Sequence, residues 1–161
     1  HIEADVILNV QGDEPFVSAP PLAALLSAFE HPNTQVASLM KPIHDIATAN
    51  NPNVVKVVVD KQYQSLLFSR SPIPYHRDQT LPVTFFEHIG VYAFTKEALL
   101  KFTRLEPTPL ELLEKIECLR FLENGIPLKM VVTQENMLKI DVPEDLDKAI
   151  SHLNKLKFSN R

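Results

Sequence analysis

The feature that most limits what this chain can become is the apolar run Val6-Ile7-Leu8-Asn9-Val10, which stops abruptly at Gln11-Gly12-Asp13-Glu14-Pro15. A short run rich in branched residues, bounded by a glycine turn, reads as a buried strand ending at a sheet edge. Ligands of open α/β sheets bind at that carboxyl edge. Two carboxylates and an amide delivered there suit a hard cation such as Mg²⁺ beside a phosphorylated substrate. The plainer reading is a turn in which Asp13 bonds its own backbone. At this level both stay open, with the strand-end position favouring the first.

The length of 161 residues is that of one domain with a real core, so residues 1–161 are read as a single domain. A net charge of −4 argues against a nucleic-acid partner, which would want a basic face. Cys118 has no second cysteine to pair with, and no apolar run reaches the ~20 residues of a membrane span. The setting expected is the cytoplasm. The 13 prolines against 3 glycines imply fixed turns and few flexible phosphate loops. The chain enters its first strand almost at once, so the domain is expected to be incomplete at its N-terminus.

Along the chain, strands are expected over Val6–Val10, Val36–Met40, Val54–Asp60, Ser65–Ser69, Thr84–Phe94, Leu128–Thr133 and Leu138–Ile140. The third and fourth, joined at Lys61-Gln62, read as a hairpin. Helices are expected over Pro20–Phe29 behind Ser18 or Ala19, Lys96–Phe102, Pro109–Glu123 and Pro143–Leu156, with a weak turn over Ile43–Asn50. Alternation at both ends around a hairpin-rich middle predicts a mixed α/β sheet with an antiparallel insertion.

Several groups could carry chemistry. Asp141, in Ile140-Asp141-Val142-Pro143-Glu144, again follows a strand and precedes a helix. It reads as the N-cap of a capping box, or as a second metal ligand beside Asp13. The loop Arg70–Pro82 sets Arg70 and Arg77 on a proline-stiffened scaffold suited to a carboxylate or phosphate, or simply exposes two charges to water. His88 lies inside an apolar strand, where a satisfied core histidine is the commoner outcome. Gly90, two residues on, favours close approach of a ligand or another backbone. Glu117 sits near an apolar stripe with Arg120 as an available partner at i+3. Histidine and cysteine spacing gives no zinc site, and there is no glycine-rich or lysine-bearing phosphate cradle.

Six blocks, in order, resemble the CMP-Kdo synthetase family, the cytidylyltransferases that activate 3-deoxy-manno-octulosonate (Kdo) for lipopolysaccharide biosynthesis. They are Asn9 to Pro15, Asn51 to Val58, Phe68-Ser69-Arg70 to Ile73-Pro74, His88 to Tyr92, Pro107 to Glu111 with Glu117 to Arg120, and Asp141 to Leu146. The resemblance implies a nucleotide-diphospho-sugar-transferase-like sheet, with the antiparallel hairpin used for a homodimer. It implies that CTP and Kdo combine to CMP-Kdo and pyrophosphate with Mg²⁺. Asp13 and Asp141 would be the catalytic metal ligands. Gln11, Arg70, Arg77, His88, Tyr92 and Glu117 would line the Kdo pocket, the arginines facing its carboxylate.

Cys118 stands where the resemblance implies a glutamine or similar polar neighbour of Glu117, so one sugar contact is expected to be lost. The family's basic, glycine-containing CTP loop is also missing, so the chain alone is expected to turn over CTP poorly. The competing readings are a cytidylyltransferase for another acidic sugar, of the sialic-acid type, and a non-catalytic sugar-binding or assembly module. Retention of both aspartates argues against the module.

Overall fold

A computed structural model describes residues 3–135, 137, 138, 140, 145–147, 149–151 and 153. Among the described residues, six strands form one mixed sheet. They are β1 (Val6–Val10), β2 (Val36–Ile43), β3 (Lys56–Val59), β4 (Ser65–Ser69), β5 (Phe85–Thr95) and β6 (Lys129–Val132). The path across the sheet is β4-β3-β5-β2-β6, with β1 also on β5. β2 and β6 run parallel, and every other pairing is antiparallel.

β5 organises the sheet because its eleven residues, Phe-Phe-Glu-His-Ile-Gly-Val-Tyr-Ala-Phe-Thr, carry apolar side chains on both faces. A strand apolar on both faces needs cover on both. On one face, Met40 and Phe94 pack with Phe121, Leu119 and Ala98, drawing in the helices α3 (Lys96–Phe102) and α5 (Leu119–Glu123). On the other, Leu39, Ile89, Val91 and Ala93 pack against Leu25 of α1 (Ala19–Ser27). A third cluster, Ile43, Ala49 and Phe85, seats α2 (Ile46–Asn50) at the end of β2.

The register between β2 and β5 jumps once. Ser38 faces Tyr92, but its neighbour Leu39 faces Ile89. The irregularity lies opposite Gly90 and Val91.

The hairpin forms as the sequence predicts, its turn tied by Asp60, whose carboxylate accepts from the Gln62 and Gln64 N–H groups at 2.8 Å. Tyr63 takes the left-handed conformation there, at φ 58°. Ser18 occupies the N-cap of α1, yet its hydroxyl bonds the Glu135 carboxylate rather than the helix.

Two expectations are corrected. The helix expected over Pro109–Glu123 is two helices, α4 (Pro109–Glu114) and α5, because Lys115 turns left-handed at φ 56°. Apolar spacing cannot reveal a single reversed residue inside an otherwise helical pattern. Leu138 and Ile140 do not form a strand; the Ile140 N–H donates instead to the Asp13 carbonyl at 2.9 Å. The closing helix is seen at residues 145–147, 149–151 and 153. Asp141 lies outside the described residues.

Candidate active site

β5 is flanked on one side by β1, which pairs with Val91–Thr95, and by β3, which pairs with Phe86 and Glu87. Between the stretches paired with these two neighbours lie His88, Ile89 and Gly90. A cleft of about 750 Å³ opens there. Gln11, at the end of β1, lines it, as do His88, Gly90 and Tyr92 from β5. The turn created by Lys115 adds Lys115, Ile116 and Glu117, and Arg70 closes the far side. The break in the helix is therefore what carries Glu117 into the cleft.

Five of the residues expected in the sugar pocket, Gln11, Arg70, His88, Tyr92 and Glu117, thus meet in one place. Arg77 does not join them: it is exposed on the loop, away from the cleft lining. Asp13 is half-buried in the turn just beyond Gln11, where Glu14 N–H closes on the Gln11 carbonyl at 3.0 Å.

Gly90 explains how Gln11 fits. A Cβ on Gly90 would stand 2.8 Å from the Gln11 Oε1, closer than real side chains approach. The Gln11 amide lies against Gly90, which also lines the cleft where a ligand can approach.

Arg70 is partly engaged by the protein. Its Nε donates to the Glu114 carbonyl at 2.7 Å and its terminal nitrogens to the carbonyls of Pro52 (2.9 Å) and Lys115 (3.4 Å). A guanidinium has five N–H donors, so these three bonds leave the charge on the cleft wall with donor capacity remaining. Glu114 holds the same corner, accepting from Ser69 Oγ at 2.7 Å and the Arg70 N–H at 3.0 Å.

Burial pushes the Tyr92 phenol well above its ordinary value, with Cys118 and Glu117 adding to the shift. It stays neutral. Burial likewise pushes the Cys118 thiol up to about 12, so it is not a nucleophile. Cys118 belongs to the core that supports Tyr92 and is absent from the cleft lining. Arg120, the partner available to Glu117 by spacing, binds Glu111 instead.

Sequence reasoning missed Lys56. It is fully buried, and its ammonium donates to the carbonyls of Asn51 (2.8 Å), Val54 (2.6 Å) and Arg70 (2.5 Å), all cleft-lining residues. Burial, aided by the charge of Arg70, pushes its pKa below the usual lysine range, while Glu114 and Glu87 oppose the shift. One charge staples the segment before β3 to the segment after β4. The only hint in the sequence is a lysine alternating with valines. Lys56→Met is expected to lose about 2 kcal/mol, since buried carbonyls without donors cost ~1–3 kcal/mol and removal of the buried charge offsets part of that. Thermal unfolding should shift down by roughly 4–8 °C in a chain of this size; an unchanged midpoint would remove Lys56 from the account.

The rest of the cleft is mixed in charge. Lys41 pairs with Glu87 at 3.2 Å, and Asn51, Asn53 and Gln11 add amides. A second groove of about 470 Å³, between β1 and α3, is lined by Ala4, Val6, Ile7, Leu99, Leu100 and Lys96. It offers almost no polar groups, so the polar chemistry belongs to the larger cleft. Among the described residues no three His, Cys, Asp or Glu side chains form a metal cluster.

Comparison with known proteins decides the family. The cytidylyltransferase family profile matches residues 1–140. The chain belongs to the cytidylyltransferase family. Among curated cytidylyltransferases, it is 48% identical over 152 residues to the 3-deoxy-manno-octulosonate cytidylyltransferase of Christiangramia forsetii, covering 92% of this chain and 61% of that protein. It is 49% identical over 152 residues to the enzyme of the same name from Flavobacterium johnsoniae, covering 92% and 62%. The chain therefore spans about three-fifths of the length of these relatives. A solved cytidylyltransferase, CMP:2-keto-3-deoxy-manno-octonic acid synthetase complexed with CTP, superposes with a TM-score of 0.89 at 33% identity, covering 96% of this chain and 64% of that one. The mixed sheet is thus that of the cytidylyltransferases.

Proposed function

We propose that this chain provides the sugar-binding and metal-binding part of an enzyme that joins CTP and Kdo to give CMP-Kdo and pyrophosphate for lipopolysaccharide biosynthesis. The observation that carries the reading is the convergence of Gln11, Arg70, His88, Tyr92 and Glu117 on one cleft. A polyhydroxylated acid needs a cation for its carboxylate and a ring of neutral donors and acceptors for its hydroxyls. Arg70 and Lys115 supply the positive charge; Gln11, Asn51, Asn53 and neutral Tyr92 supply the ring. The relatives named for 3-deoxy-manno-octulosonate favour Kdo over a sialic acid.

In this reading the anomeric hydroxyl attacks the α-phosphate of CTP in line, and catalysis is mostly positioning. Mg²⁺ would be held by Asp13 and Asp141, and when bound it supplies charge neutralisation for the phosphates. Mg²⁺ takes one or two carboxylates and fills its remaining positions with water and phosphate oxygens, so no larger cluster is called for. The bond from Ile140 to the Asp13 carbonyl supports the fit, because it brings the main chain of Ile140 alongside Asp13.

Arg77, exposed beside the hairpin, reaches a sugar carboxylate in this reading only through movement of its loop. The same loop and β4 present Leu66, Tyr75 and Leu81 to solvent, an apolar surface suited to a second copy in a cytoplasmic homodimer. Among the described residues no helix is long and apolar enough to cross a membrane.

The test is CMP-Kdo formation with CTP, Kdo and Mg²⁺. It is run on this chain, and on a chimera carrying the residues of the Christiangramia forsetii relative that this chain does not span. Product from either, abolished by a chelator and not obtained with a sialic acid, is the expected result. No product from either would overturn the reading.

A further inference from the structure

Ser38 stands at a junction of main-chain carbonyls and the His88 ring. It is fully buried in β2, at the register jump opposite Gly90 and Val91. Its hydroxyl oxygen lies 2.9 Å from the Val91 carbonyl oxygen, 3.1 Å from that of Ile89 and 2.9 Å from His88 Nε2. A hydroxyl has one proton to give and two lone pairs. Carbonyl oxygens only accept, so the hydroxyl proton belongs on their side. A lone pair of Oγ then faces the imidazole, and Nε2 must carry the proton between them. The opposite arrangement would set the hydroxyl lone pairs against two carbonyl oxygens in a buried site, which is costly.

The ring has little freedom to exchange its two nitrogens. The edge of Phe68 packs on it with centroids 4.9 Å apart, and Tyr92 tilts against it at 5.4 Å. The His88 main-chain N–H is also fixed, on the Val55 carbonyl at 2.8 Å.

We infer that Ser38 is a positioning residue that fixes His88 in the cleft as its Nε2–H tautomer. The neutral ring then carries its acceptor at Nδ1. Resting on the sugar-cleft reading above, the consequence is that His88 meets a sugar hydroxyl as an acceptor. Which ring nitrogen carries the proton is set by the hydrogen bonds the ring makes.

The experiment is nitrogen NMR of the histidine rings in the 161-residue chain at a pH where they are neutral, with His88 assigned by its loss in His88→Gln. The expected spectrum shows His88 with a protonated Nε2 that exchanges slowly with water and an unprotonated Nδ1. Ser38→Ala should make that proton exchange at least tenfold faster and mix the tautomers, and Ser38→Thr should restore the original pattern. An Nδ1–H tautomer in the unmodified chain overturns the inference without need of any variant. So does a Ser38→Ala spectrum identical to the original. If Ser38→Ala does not fold, Ser38→Cys, a weaker acceptor, is read in its place with the same expected direction. Kdo titration separates the inference from the reading it rests on: the alanine variant should bind about tenfold more weakly. A tautomer change without weaker binding would uphold Ser38 and remove His88 from sugar recognition.

Discussion

Asp13→Asn is expected to cut CMP-Kdo formation by the chimera about a thousandfold. The substitution separates two readings that the sequence leaves open. Asparagine serves a turn as well as aspartate does, because both side chains offer an oxygen to the backbone two residues on. One structural link made by this residue is through its main chain, whose carbonyl accepts from the Ile140 N–H at 2.9 Å. A side-chain exchange leaves that link intact. What asparagine lacks is the negative charge, and a hard divalent cation among oxygen ligands depends on charge. Metal stabilisation of a phosphoryl-transfer transition state amounts to several kcal/mol, with about 1.4 kcal/mol per decade of rate, hence roughly 10³. The measurement is pyrophosphate release by the active chimera across a Mg²⁺ series. A variant within tenfold of the parent at every concentration would return Asp13 to the turn.

The largest stability loss is expected from Arg120→Leu, about 3–5 kcal/mol, the usual cost of removing one partner of a buried pair. Arg120 donates through Nε to the Glu111 carboxylate at 2.7 Å, and a second nitrogen bonds the other oxygen. It also donates to the Leu105 carbonyl at 3.2 Å and lies 4.4 Å over the Phe102 ring. The two side chains retain only 14% and 9% of their exposure, so solvent cannot replace what is removed. At ~2–4 °C per kcal/mol, the midpoint should fall by roughly 10 °C. The double variant Glu111→Leu/Arg120→Leu should recover much of this, because it no longer buries a lone carboxylate.

The pair also sets a pH dependence. The hydrogen bond from Arg120 holds the Glu111 carboxyl below its ordinary value against the opposing effect of burial. A carboxyl whose folded pKa is depressed contributes stability that is fully present above its unfolded value and lost as the pH falls through the folded one. The difference between parent and Arg120→Leu should therefore be largest near neutrality and shrink below about pH 4. A difference that stays constant through the acid range would sink the assignment.

Glu111 and Arg120 also show where the sequence stops being legible. Spacing offers Arg120 the nearby Glu117, since it registers neighbours three and four apart on a continuous helix. The chain reverses at Lys115, a residue with no propensity for doing so, and a partner nine positions back comes within reach while Glu117 turns to the cleft. The strands were legible because alternation of valines, or a run such as that of β5, has few other solutions. The gathering of Gln11, Arg70, His88, Tyr92 and Glu117 was legible only through resemblance, since nothing local in five scattered segments says that they meet. Lys56 and Ser38 were not legible at all. A lysine among valines looks like an exposed position on a strand, and a serine in Val-Ala-Ser-Leu-Met looks like a tolerated polar residue. Their roles come from carbonyls brought together by the fold, which no pattern of side chains records.

The jump between β2 and β5 has one more consequence. Ser38 faces Tyr92 and Leu39 faces Ile89, so one step along β2 matches three along β5. The surplus is therefore an even number, and parity survives the defect: Met40 still stands opposite His88, on the same side as Ser38 and Tyr92. Met40 and Tyr92 therefore stay on the face covered by α3 and α5, and Leu39 and Ile89 on the face covered by α1, on both sides of the defect.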